Sequence, residues 1–172
     1  TAFFRFMNRE EDPKRVAATC LTSLVVTTLV FLGVGLLLSQ SIAVWLSYPA
    51  IYIRYAIWIL ALDTLVAIPF AWYRYSGQSL HYAFIKIGNV TVNLGLNLLF
   101  LLYFPFLESK GYRLPLMELV SDKTQYIFLA NLIASLLTFI YMLPLYKRIG
   151  FLWDVALWKR LFQYAFPVLI AG

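Results

Sequence analysis

The chain has 172 residues, of which 62% are hydrophobic and only 13% charged, with a mean hydropathy of +0.78. A soluble domain of this length needs roughly a quarter of its residues charged to clothe its surface. This composition therefore excludes an ordinary cytosolic enzyme and a disordered chain, and the single cysteine, Cys20, excludes a disulfide scaffold. A net charge of +6 with 18% aromatic residues fits an integral membrane protein with basic loops, and no basic cluster has the spacing of a nucleic-acid reader.

Residues 1–15 read as the end of a preceding helix and a loop. The first span is Val16–Leu38, inside a stretch from Val16 to Ile53 that holds no charge. Ser39–Pro49 reads as a turn. The second span is about 53–73, with Asp63 near its middle and Pro69 in its last turns. After a turn at 74–82, the third span covers about 83–104. Pro105–Lys123 is a mixed-charge loop, and the fourth span is about 124–146. Apolar runs of about 20 residues favour helices over the roughly ten-residue alternations of barrel strands. The fold class is thus an all-α polytopic membrane bundle. Lys147–Arg160 reads as a basic linker. Across Phe151–Phe162, the residues Phe151, Leu152, Val155, Trp158, Leu161 and Phe162 fall at helical spacing, which favours a short interfacial helix over the frayed start of the next span. A fifth apolar run occupies 161–172, roughly 18 Å of helix, against about 30 Å of bilayer core. With a start at Thr1, this predicts an internal piece of a longer protein.

Basic residues set the orientation. Ten of the fourteen (Arg5, Arg9, Lys14, Arg15, Arg74, Lys86, Lys147, Arg148, Lys159 and Arg160) fall on one side of the alternating loops. Arg54, Lys110, Arg113 and Lys123 fall on the other. The richer side is expected to face the cytoplasm.

The polar residues inside the spans are the candidate site. A carboxylate at mid-span costs about 2.5–3.5 kcal/mol on insertion scales. Asp63 therefore has two balanced readings: a cavity residue that binds a cation, a proton or a sugar hydroxyl, or an interhelical packing residue. Lys86, Asn89, Asn93 and Asn97 share one face of the third span at steps of three, four and four. That stripe reads as the wall of a hydrophilic cavity, ahead of interhelical bonding alone. Gly88, Thr91 and Gly95, on the opposite side, suit close helix approach. Thr19, Ser23 and Thr27, and likewise Asn131, Ser135 and Thr138, read as ordinary packing stripes. Arg5, Arg54 and Arg74 would suit a diphosphate through their planar guanidinium groups, although each alone also reads as an interfacial snorkelling residue. His81 reads as solvated. No catalytic constellation, metal spacing or cofactor motif is visible, so an enzyme is not expected.

Three segments carry a family resemblance. The opening Thr1-Ala-Phe-Phe-Arg-Phe6 is followed by a basic loop and a long apolar span. The second is Leu62-Asp-Thr-Leu-Val-Ala-Ile-Pro-Phe-Ala-Trp-Tyr-Arg74, then Lys86-Ile-Gly-Asn-Val-Thr-Val-Asn-Leu-Gly-Leu-Asn97. The third is Leu161-Phe-Gln-Tyr-Ala-Phe-Pro-Val-Leu169. Together they resemble the polysaccharide (O-antigen) flippases of the multidrug/oligosaccharidyl-lipid/polysaccharide exporter superfamily. The resemblance implies a fragment of the first lobe of a two-lobe transporter in the bacterial cytoplasmic (inner) membrane. It implies export of lipid-linked oligosaccharide of the undecaprenyl-diphosphate type by alternating access, with no cofactor and no nucleic acid. The implied partners are membrane lipids and a polymerase or glycosyltransferase complex. Arg5, Arg54 and Arg74 would then meet the diphosphate or acidic sugars, and Asp63, Lys86, Asn89, Asn93 and Asn97 the sugar path. A drug or cation antiporter of the same superfamily, with Asp63 carrying the coupling ion, and a non-transporting membrane scaffold are the alternatives.

Overall fold

The computed structural model describes residues 2–9, 12–110 and 122–171; among them there is no strand. A short helix, α1 (Ala2–Arg9), leads into α2 (Pro13–Leu46). Asp12 caps α2, its carboxylate accepting from the backbone N–H groups of Lys14 and Arg15 at 3.0 and 3.2 Å. Pro13, which has no N–H to leave unpaired, starts the helix. The helix runs well past the expected turn at Ser39. The Ser39 hydroxyl donates to the Leu36 carbonyl at 2.7 Å, so this polar side chain is satisfied within the helix. No Gly or Pro intervenes until Pro49. The stop is Ser47, in the left-handed region at φ 53°, with Tyr48 N–H returning to the Ala43 carbonyl at 2.9 Å.

The second span is two helices in tandem, α3 (Ala50–Leu65) and α4 (Ala67–Tyr75), interrupted at Val66. Proline explains the interruption. Pro69 cannot donate to the carbonyl four residues back, that of Leu65. The Tyr146 hydroxyl, from a different span, donates to it instead at 2.6 Å. The turn at Ser76–Gln78 is tight, with Gly77 at φ +72°, and α5 (Ser79–Leu98) follows. Its end widens into a π-helical segment, Leu99–Tyr103, where Phe104 N–H reaches back five residues to Leu99. Pro105 lies just beyond, and the widened turn relieves the clash its ring would make with the Leu101 carbonyl. Helix α6 (Phe104–Ser109) continues the rod, so the loop expected from Pro105 begins only at Lys110. The remainder of that loop, with Arg113, lies outside the described residues.

The fourth span is α7 (Lys123–Ile149), ended by Gly150 at φ +80°. The irregular linker is only Gly150–Asp154. Helix α8 then runs without a break from Val155 to Ala171. The expected separate interfacial helix is therefore corrected: Asp154 caps α8, accepting from Leu157 N–H at 3.1 Å, and nothing interrupts the helix at residue 161.

Four rods are long and apolar enough to cross a bilayer: Pro13–Leu46, Ala50–Tyr75, Ser79–Leu107 and Lys123–Ile149. The protein is an all-α polytopic membrane protein. The spatial order of the rods differs from the chain order: α7 packs against both α3 and α5, and α2 packs against α3. The fourth span thus lies between the second and third. The main core gathers Met7, Val16, Leu21, Phe70, Met142, Ile149 and Leu157 at one end. This is the end where Arg15, Arg74 and Arg148 emerge, so the loops that carry most of the basic residues share one face. At the opposite end a smaller cluster joins Phe100, Phe104 and Ala130.

Candidate functional site

The fourth span carries the polar centre. Asn131, Ser135 and Thr138, at steps of four and three, form a stripe that turns to both neighbouring helices. Toward α5, Asn89 donates its amide to Thr138 Oγ1 at 2.8 Å and to the Ala134 carbonyl at 3.1 Å. One turn on, Asn93 donates to Asn131 Oδ1 at 3.0 Å. Another turn on, Asn97 donates to the Asn93 side chain and carbonyl at 2.7 and 3.0 Å. Toward α3, the Ser135 hydroxyl donates to Asp63 Oδ1 at 2.7 Å. Asp63, Asn93 and Ser135 each stand near the midpoint of their span, so the Asn93 and Ser135 bonds lie at similar depth, with the Asn89 and Asn97 bonds about one turn to either side.

The members of this polar centre differ in exposure. Asn89, Asn93 and Asn97 are half-buried between helices, whereas Asp63 is exposed. The asparagine stripe, expected as a cavity wall, directs its amide donors to interhelical and intrahelical bonds. Asn97 Oδ1 is a buried acceptor with no partner among the described residues. Asp63 accepts from Ser135, and no Lys, Arg or His among the described residues forms an ion pair with it.

The basic candidates lie away from this centre. Arg54 precedes Asp63 by nine residues and Arg74 follows it by eleven, about 14 and 16 Å along a helix rising 1.5 Å per residue. Arg74 and Arg5 are exposed at the basic end, their guanidinium groups over the Tyr82 and Tyr164 rings at 4.7 and 4.3 Å. Lys86 lies over the Phe70 ring at 5.1 Å. Arg54 is exposed near the opposite end. The three arginines do not converge on one point. Gly88 and Gly95, expected at close helix approaches, have open space where a Cβ would stand. No helix among the described residues meets them there.

Three residues the sequence left in the background matter most. Ser135 and Asn131 were legible as a stripe, and their spacing was the signal; their partners depended on which rods are neighbours. Tyr146, which satisfies the carbonyl freed by Pro69, carried no sequence signal. At the ends, polar clasps fix the rods. Arg15 pairs with Asp154 at 2.6 Å, and Trp158 Nε1 donates to Ser23 at 2.9 Å. Bonds from the backbone N–H of Leu157 and the nearby Arg15 charge hold the Asp154 carboxyl below the usual carboxylate range. At the other end the Tyr52 hydroxyl donates to Asp122 at 3.0 Å and holds that carboxyl low as well.

Among the described residues no group of three His, Cys, Asp or Glu side chains could hold a metal ion. Fold and polar centre together define the class: a multi-pass helical membrane protein with a carboxylate at mid-span. Compared with protein-family models, curated proteins and solved structures, the chain matches none.

Proposed function

We propose that this chain is part of a transporter that flips lipid-linked oligosaccharide across the bacterial cytoplasmic membrane by alternating access, as its resemblance to polysaccharide flippases implies. One observation carries the reading. Asp63 sits at mid-span, exposed on the outside of the bundle, three residues before a proline-induced helix break. A charged group facing hydrocarbon there would be costly. A wet cavity closed by further helices would relieve that cost, and interrupted helices near the midplane are where transporters place their polar sites. Asp63 would accept hydrogen bonds from sugar hydroxyls, with Ser135 holding the carboxylate in place. Arg5 and Arg74 at the basic end and Arg54 at the other would meet the diphosphate as it enters and leaves, guanidinium forks matching phosphate oxygens. The asparagines would keep the third and fourth spans together as the cavity opens and closes.

In the complete protein, Asp63→Asn and Arg74→Ala are expected to cut surface polysaccharide at unchanged protein level. Full export in both variants removes the assignment. A cation-coupled antiporter is the second reading, favoured by the same carboxylate because it has a hydroxyl partner and, among the described residues, no cationic one. Drug efflux lost in Asp63→Asn, with polysaccharide export intact, would select it.

A further inference from the structure

A second feature does not depend on the transport reading. Between α5 and α7 runs a cleft of about 250 Å³, lined by His81, Phe84, Gly88, Asn89, Leu137 and Tyr141 among others. It is below the roughly 300–1,000 Å³ of pockets that enclose drug-sized ligands. Its flank opens sideways: Phe84 is 81% exposed and Leu137 48%. The walls are apolar, and Asn89 and Thr138 at the deep end are already bonded to each other. Gly88 leaves the groove open, since a Cβ there would meet only empty space.

The mouth has a different chemistry. The Tyr141 hydroxyl lies 3.1 Å from His81 Nε2, and the Tyr73 ring centroid lies 5.0 Å from that of His81. Arg148 stands two helical turns beyond Tyr141 on the same face of α7, within electrostatic reach of Tyr73. Arg74 and Lys86 flank the same end on α4 and α5. Residues 64–107 and 123–153 contain no Asp or Glu. The end of the bundle on which the cleft opens thus carries these basic side chains around the cleft rather than in its lining, with no acid in the same helices, above a groove narrow enough for a chain.

We propose that this cleft is a binding site for an anionic phospholipid of the leaflet at the basic end, its acyl chain against Gly88 and its phosphate at Arg148 and His81. Basic pockets between membrane helices hold anionic headgroups in this way, each Lys or Arg near the surface contributing about fivefold in affinity. The lipid would act as a wedge that fills the gap left at Gly88 and fixes the spacing of α5 and α7.

The test is native mass spectrometry of the purified full-length protein titrated with phosphatidylglycerol or phosphatidylcholine. One phosphatidylglycerol should be retained, preferred about fivefold or more over phosphatidylcholine. Arg148→Gln should erase that preference. Gly88→Leu should expel both lipids, whereas Gly88→Ala, too small to fill the groove, and Gly95→Leu, outside it, should retain phosphatidylglycerol as the native chain does. Equal retention of the two lipids would overturn the proposal. So would full retention in Gly88→Leu, or displacement by inorganic phosphate alone, since either would mean an anion site without a chain. Loss in Gly95→Leu would assign the effect to the fold rather than the groove and would overturn it too.

Discussion

The two sides of the fourth span make unlike bonds with like residues. Toward α5 the amides of Asn89 and Asn93 bridge the helices, with Asn97 bonded back onto Asn93. Toward α3 a single hydroxyl, Ser135, meets a carboxylate that stays exposed. The first side is a fastening: its donors are committed to the chain itself. The second is unfinished, because one hydrogen bond leaves most of the acceptor capacity of a carboxylate unfilled. Polar residues at equal depth thus have different work, and the difference lies in what each neighbouring helix offers back.

Substitutions can break this contrast. The largest loss of stability is expected from Asn93→Leu, which strands Asn131 Oδ1 and removes the side-chain acceptor of Asn97, leaving it only the backbone carbonyl of residue 93. Interhelical bonds in membranes average about 0.6 kcal/mol and reach about 1.7, so a loss of about 1–2 kcal/mol in a detergent-unfolding titration is expected. Asp63→Asn should leave that titration unchanged, because the amide oxygen still accepts from Ser135, while transport falls. Ser135→Ala is expected to cost less than about 1 kcal/mol and to lower transport partway. The smallest effect concerns acid. The folded state holds the Asp154 carboxyl low, so its contribution is complete above the unfolded value of about 3.9 and is lost as pH falls through the lower folded value. Thermal midpoints should therefore drop below about pH 4 in the native chain, and less steeply in Asp154→Asn.

Much of the architecture was written in the composition. Runs such as Val16–Leu38 have no soluble alternative, so four rods followed directly. Boundaries were less legible where a polar residue satisfied itself, as Ser39 does through Leu36, and where a proline was absorbed, as Pro105 is by the π-helical turn. The asparagine stripe was visible from its spacing, but its role was not. A stripe states only that a face is polar, and the packing order that sets α7 between α3 and α5 decides whether that face meets water or another stripe. The same order explains why Asn131, Ser135 and Thr138, which looked unremarkable in isolation, became the centre of the site. Gly88 and Gly95 show the converse: small residues permit a close approach without requiring one.

Thiol labelling in the complete protein tests the distinction most directly. In a background with Cys20 replaced by Ser, single Cys variants at Asp63 and at Asn93 are treated in intact membranes with a charged, membrane-impermeant maleimide. Cys at position 63 is expected to be labelled and Cys at position 93 to be protected. Labelling at 93 with protection at 63 would contradict that distinction, placing water on the asparagine side and leaving the carboxylate as a packing group.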